Sequence, residues 1–265
     1  MAGNSSEAGR SVTSKVVSLL DAFLPEAGEL SLNDLASRTG LPLSTTYRLA
    51  TQLVSWGGLE RGEAGGYRIG LRLWEIGSLA TGGRTLQAVV SPFMQDLYEA
   101  THENVQLAVR SGQQALYLDK IAGPRSMPIA SRRAGRLPLH ATGVGKVLLA
   151  HAPPAFVEEL IGAGLRRYTA HTIVGPAPLR RCLAEIRRTG IGFGREELKL
   201  GSVSVAAPVF DASGTAVAAI SLVLPTAKAN LARLAPAVRA VSLGASRDLR
   251  HRSITVPSIS GPPRP

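Results

Sequence analysis

Cysteine is almost missing. Cys182 stands alone in 265 residues, which excludes an intramolecular disulfide and any zinc site built from several thiolates. No apolar run approaches the roughly 18 to 20 residues of a membrane span. The longest, 216–224 and 144–150, suit buried strands or short helices, so no membrane partner is expected. The opening MAGNSSEAGR lacks the basic start and apolar stretch of a signal peptide, and a cytoplasmic location is expected. Catalytic signatures are missing too: there is no Gly-x-Ser-x-Gly elbow, no His-Glu-x-x-His and no cluster of metal ligands, while His102, His140, His151, His171 and His251 are scattered. The expectation is a protein without enzyme activity, metal or cofactor. Acidic residues are also scarce, 19 against 30 Lys and Arg, and the net charge of +11 calls for an anionic partner, most simply nucleic acid.

What is present divides at Gly82-Gly83, a pair that reads as a boundary. Residues 1–83 carry 7 basic and 8 acidic side chains, a net −1, and the remainder carries +12. Charge alone would make the second part the nucleic-acid binder; the motifs point to the first.

Residues 14–24 place Val16, Val17, Leu19, Leu20, Phe23 and Leu24 at helical spacing before Pro25 breaks the pattern. Ser31 and Asp34 form a Ser-x-x-Asp helix start, and Gly40 ends that helix. After Leu41-Pro42, LSTTYRLATQLVSW turns Leu43, Tyr47, Leu49, Ala50, Leu53 and Val54 inward and leaves Ser44, Thr45, Arg48 and Gln52 outward. This is helix-turn-helix geometry. A second helix with small polar and basic residues at its start suits the major groove of double-stranded DNA, and Ser44, Thr45, Thr46, Arg48 and Gln52 are the expected contacts. The strand-like pieces Leu59–Arg61 and Tyr67–Ile69 flank a glycine-rich turn and read as a wing, from which Arg61 and Arg68 are candidate contacts. Residues 71–80 return to helical period as a linker.

The second part alternates helices (86–100, 142–151, 154–162, 177–189, 227–250) with two hairpins, 104–112 with 114–122 and 202–211 with 216–224. Mixed antiparallel hairpins and helices indicate an α+β domain. The segment HATGVGK lacks the first glycine of a phosphate loop, with His140 in its place, so ATP binding is rejected. Thr142 and two glycines opening a helix still offer backbone N–H groups to a small anion such as a carboxylate, beside an ordinary tight-turn reading. Cys182 reads as packed or idle. The pairs Arg166-Arg167, Arg180-Arg181 and Arg187-Arg188 read as a solvated face or a subunit contact, and Arg132, Arg133 and Arg136 lie near the anion-receptive loop.

Taken in order, SVTSKVVSLLDAFL, LSLNDLASRTGLPLSTTYRLATQLVSWGGLERGEAGGYRIGLRLWEIG, SRRAGRLPLHATGVGKVLLA, YTAHTI and REELKLGSVSVAAPVFDASGTAVAAISL resemble the IclR family of bacterial transcriptional regulators over about residues 11–250. The resemblance implies an N-terminal winged helix-turn-helix domain (11–70) after a flexible start (1–10). A linker helix (71–83), a GAF-like effector-binding domain with an antiparallel sheet (84–252) and a disordered tail (253–265) follow. It implies a homodimer or dimer of dimers on a palindromic operator. The function implied is that of a regulator, most often a repressor of a neighbouring catabolic operon and in some members an activator, controlled by a small organic acid. By matching, the effector pocket takes Leu137, Leu139, His140, Gly143 and Val144 on one side and Gly194, Ser202, Ser204 and Ser221 on the other. Three positions depart from the pattern: Ser204 stands where many members carry cysteine, Gly194 where several carry an acid, and Leu43 where a polar or basic residue is common.

Overall fold

The computed structural model describes residues 10–24, 28–79, 81–124 and 126–254, with the side chains of 81–84 also set aside. The expected flexible start, apart from Arg10, and the expected tail beyond Ile254 lie outside the described residues. The chain forms two compact units, 1–81 and 82–265.

In the first unit, α1 (Val12–Asp21), α2 (Leu32–Thr39) and α3 (Leu43–Trp56) precede β1 (Leu59–Arg61), β2 (Tyr67–Ile69) and α4 (Leu71–Ser78). Helix α2 starts at a complete capping box: Asp34 N donates to Ser31 Oγ at 3.1 Å and Ser31 N donates to the Asp34 carboxylate at 3.0 Å. Gly40, at φ +67°, stops it in the left-handed conformation that glycine adopts without penalty. Leu19, Leu35, Leu49, Ala50, Leu53, Leu59 and Tyr67 make the core. Leu30 bridges Tyr67 through paired backbone bonds of 2.9 and 2.8 Å, adding a third strand element to the hairpin. Leu43 and Tyr47, expected inward, are about half exposed, because the core stripe of α3 runs through Thr46, Leu49, Ala50 and Leu53.

The second unit is a six-stranded antiparallel sheet of order β5-β4-β3-β8-β7-β6, from β3 (Asn104–Ser111), β4 (Gln114–Ile121), β5 (Arg136–Pro138), β6 (Gly192–Arg195), β7 (Ser202–Phe210) and β8 (Ala216–Pro225). Strand alternation gives it two faces. On one, Val105, Leu107, Val205, Val209, Ile220 and Leu222 pack against α5 (Thr81–Thr101) and α9 (Leu231–His251). On the other, the small residues Ala108, Ala206 and Ala219 admit α6 (Gly143–Ala150), which is wholly buried, with α7 (Pro154–Gly162) and α8 (Pro176–Thr189) around it. The Gly82-Gly83 pair stands where the two units divide, and it does so within the first turn of α5, since glycine costs a helix only about 1 kcal/mol. The tail begins ordered: Ala212 N donates to Ile254 O at 3.1 Å. The paired arginines serve their own unit, Arg180 on Glu158, Arg188 on Glu185, and Arg187 on the Ala150 carbonyl.

Candidate functional site

Two sites emerge, one in each unit. In the first, α3 presents Ser44, Arg48 and Gln52 to solvent with Thr45 at their edge, and adds Tyr47 and Thr51, which sequence reasoning did not single out. The start of α3 differs from that of α2. Its N-cap is Pro42, which has no side-chain cap to offer, so the backbone N–H groups of Leu43, Ser44 and Thr45 remain open to a phosphate. Buried Leu41 anchors the turn that aims this end outward.

Thr46 is a correction. It is fully buried, and its hydroxyl donates to the Pro42 carbonyl at 3.0 Å, so it shapes the start of the helix and does not face a groove. The wing arginines are exposed but engaged. Arg61 donates to the Gly65 carbonyl at 3.0 Å and lies 4.1 Å over the Tyr67 ring. Arg68 pairs with Glu60 at 3.1 Å, and the Leu71 N–H together with Arg68 holds the Glu60 carboxyl below its ordinary range. Behind the turn, the Glu29 carboxylate accepts from Gly66 N at 2.5 Å and lies against Gly62.

In the second unit a narrow cleft opens where α6 begins. Leu137, Gly143, Val144, Gly194, Ser202, Ser204 and Ser221 all line it. Thr142 caps the helix by accepting from Gly145 N at 3.1 Å, which leaves the N–H groups of Gly143 and Val144 directed at the cleft without an intrahelical partner. A Cβ on Gly143 or on Gly194 would lie 2.5 Å from Ser204 Oγ. Helix start, edge strand and hydroxyl thus meet at closest approach.

Leu139 and His140 are not lining residues. Leu139 is buried in the core, and Gly145 crosses it so closely that a Cβ there would lie 2.2 Å from its carbonyl oxygen. His140 turns away, its Nε2 donating to the Arg166 carbonyl at 2.9 Å, with Tyr168 beside the ring. Arg132, Arg133 and Arg136 are not among the lining residues either; Arg133 pairs with Asp119 at 2.5 Å.

Sequence reasoning missed Gln106, Tyr117, Ser131, Glu196, Glu197 and Lys199, which line the same cleft. Gln106 carried a signal: it is a polar residue between Val105 and Leu107 in a strand whose centre is buried. Tyr117 is buried and its phenol is pushed up by desolvation, with a bond to Thr142 opposing. Glu197 and Lys146 form a buried ion pair behind the helix start; Arg195 N also donates to Glu197 Oε1 at 3.2 Å, while Oε2 finds no partner among the described residues. Cys182 lies near this pair, and burial pushes its thiol up, away from thiolate chemistry. No three His, Cys, Asp or Glu side chains gather as metal ligands among the described residues, and no helix there is long and apolar enough to cross a membrane.

Comparison with known proteins matches this architecture. The family model for the bacterial transcriptional regulator IclR C-terminal domain fits residues 79–248, and that for the IclR helix-turn-helix domain fits residues 12–63. The transcriptional repressor IclR of Escherichia coli (strain K12) is 36% identical over 214 residues, 79% of this chain and 78% of its own. The HTH-type transcriptional repressor AllR of Klebsiella pneumoniae is 32% identical over 226 residues, 84% of this chain and 83% of its own. Among solved structures, an IclR homolog of Microbacterium hydrocarbonoxydans complexed with 4-hydroxybenzoate aligns with a TM-score of 0.86 at 32% identity, covering 91% of this chain and 100% of that one. The Thermotoga maritima IclR structure aligns at 0.73 and 27% identity, covering 90% and 98%. With a capped helix-turn-helix in one unit and a sheet-borne cleft in the other, the chain belongs to the IclR family of bacterial transcriptional regulators.

Proposed function

We infer that the protein is an operator-binding repressor, released or retained on DNA by a small organic carboxylate bound in the cleft of the second unit. The observation that carries this reading is the α6 start, where two backbone N–H groups and the Ser204 hydroxyl converge on one end of the cleft. A helix N-terminus favours an anion through its dipole and open N–H groups, and the glycines keep the approach clear. The 4-hydroxybenzoate complex of the Microbacterium hydrocarbonoxydans relative supports a carboxylate in the equivalent domain.

Ser44, Thr45, Arg48 and Gln52, joined by Tyr47 and Thr51, are the residues proposed to read the major groove, with Arg61 and Arg68 reaching the flanking backbone from the wing. Because this unit carries a net charge of −1, affinity rests on a few placed contacts and on pairing two half-sites. A homodimer on a palindromic operator meets that need. Helix α4 supports it: it buries none of its own residues and leaves Trp74 67% exposed and Leu71 61% exposed, an apolar surface suited to a second copy. Control is reciprocal: the carboxylate must prefer one of two arrangements of the recognition helices, or it changes nothing. The catabolic operon beside the gene is the proposed target.

Selection of bound duplexes from a random pool tests the DNA half; the reading expects a palindromic consensus, and recovery of no enriched sequence contradicts it. Thermal melting with a panel of small acids tests the other half, with a raised Tm expected for at least one monocarboxylate.

A further inference from the structure

The exposed face of α3 is made of two rows. Positions four apart are neighbours on a helix surface, so Leu43, Tyr47 and Thr51 form one row and Ser44, Arg48 and Gln52 the other. The second row is polar throughout. The first opens with an isobutyl group and a phenol ring.

These two large side chains have no role inside their own unit. Leu43 is 49% exposed and Tyr47 52%, and neither belongs to the core built on Leu19, Leu35, Leu49 and Leu53 or to the partly buried side chains packed against it. Adjacent apolar groups left in water gain free energy from any partner that covers them. What could cover them is limited by where they stand.

Leu43 is the first residue of α3, and its N–H is one of the three, with those of Ser44 and Thr45, that remain open at the helix start. A phosphate held there brings a duplex against this end of the helix, and the residues of the first two turns then face base edges in the major groove. Ser44 and Thr45 are short and permit a close approach. A phosphate offers nothing to an isobutyl group or to the face of a ring. Among the base edges of the major groove, the one alkyl group is the C5-methyl of thymine; what the other bases show there is hydrogen-bonding groups.

We propose that Leu43 and Tyr47 read thymine through its C5-methyl, so that each operator half-site carries a thymine beside the bases met by Arg48 and Gln52. This rests on α3 being the recognition helix, as proposed above. The two rows then divide the reading. The polar row matches donors and acceptors, where Arg48 suits guanine and Gln52 adenine, and the apolar row selects thymine over a cytosine in the same place.

Uracil isolates this contact, because it pairs as thymine does, keeps the O4 acceptor and lacks only the methyl group. In a duplex selected from a random pool, each thymine is replaced in turn by deoxyuridine, symmetrically in both half-sites, and affinity is read by fluorescence anisotropy at one fixed salt concentration. At one thymine or two adjacent ones, uracil is expected to weaken binding by about fourfold per half-site, the worth of burying one methyl or methylene group. The double variant Leu43→Ala, Tyr47→Ala should bind the thymine and uracil duplexes alike, whereas Tyr47→Phe, which keeps the ring, should still prefer thymine. Both positions are exposed, and an unchanged urea midpoint identifies variants that fold as the natural protein does. A selected half-site in which no uracil replacement matters overturns the methyl reading and leaves α3 as the DNA-binding element. So does a double variant that weakens both duplexes while keeping the thymine preference, the result expected if a second copy of the chain covers this face. Recovery of no enriched duplex overturns both the methyl reading and the recognition helix.

Discussion

Gly143, the first residue of α6, and Gly194, in the edge strand β6, close on the same atom: a Cβ on either would stand 2.5 Å from the Ser204 hydroxyl oxygen. Gly143 and Gly194 are also neighbours of each other, since a Cβ on Gly194 would lie 3.2 Å from Gly143 N. The helix start therefore stays open to a ligand only while both positions lack a side chain.

Gly143→Val tests that geometry. The added methyl groups force Ser204 Oγ aside and fill the space in front of the Gly143 and Val144 N–H groups. Titration with 4-hydroxybenzoate should show binding weakened by about tenfold or more, the loss of at least one hydrogen bond to a charged group. An unaltered affinity would place the ligand elsewhere.

Arg48 and Thr46 separate reading from shaping on one helix. Arg48→Ala should weaken binding to a selected operator by about 1 to 3 kcal/mol and relax preference at the base it contacts. Thr46→Val, at a fully buried position whose hydroxyl is bonded to Pro42 O, should cost about 1 kcal/mol of folding stability and leave the sequence preference unchanged. Fluorescence anisotropy on operator variants reads the first effect and urea denaturation the second.

Removing one member of the buried Lys146–Glu197 pair strands the other. Lys146→Met should destabilise the protein by about 3 to 5 kcal/mol, and adding Glu197→Gln to it should recover much of that loss, because desolvation offsets most of the attraction of an intact buried pair. Denaturant titration of the single and double variants decides it; a double variant no more stable than the single one would count against the pairing.

His151 supplies a pH dependence. Burial first, and the nearby Arg187 second, lower its pKa, and its ring packs edge-on against Phe210 at 5.2 Å. A histidine with a folded pKa below the unfolded value of about 6.5 binds its proton more readily when unfolded. Its contribution is therefore complete above that pH and declines as the pH falls from about 6.5 towards the folded value. Melting curves between pH 7.5 and about 5 should fall more steeply for the natural protein than for His151→Gln; parallel curves would assign the slope to other groups.

The helix-turn-helix was legible because its determinants are local. A Ser-x-x-Asp start, a stop at Gly40 and the strand pieces at Leu59–Arg61 and Tyr67–Ile69 each lie within a few residues of what they specify. The inward expectation for Leu43 and Tyr47 failed because hydropathy does not give the rotation of α3, which its buried stripe of Thr46, Leu49, Ala50 and Leu53 sets. The short strands Arg136–Pro138 and Gly192–Arg195 left too little periodicity to read; they exist through edge pairing with their chain neighbours β4 and β7. The cleft was partly legible through the helix opening at Thr142 and the resemblance that followed. Its floor was not, because Gln106, Ser131 and Ser221 meet only when the sheet is assembled. The +11 of the sequence pointed to nucleic acid, yet the unit that carries the helix-turn-helix is nearly neutral, so the proposed interface rests on placement more than on bulk charge.

The central claim is that a carboxylate at the α6 start governs DNA affinity. Its most direct test is anisotropy of a labelled, selected operator titrated with the protein, with and without saturating 4-hydroxybenzoate, for the natural protein and for Gly143→Val. The account predicts that the acid shifts operator binding by the natural protein by about 5-fold or more in one direction, the lower range of allosteric coupling, and leaves the variant's binding curve where it was. Coincident curves for the natural protein, despite proven occupancy of the cleft, would contradict it.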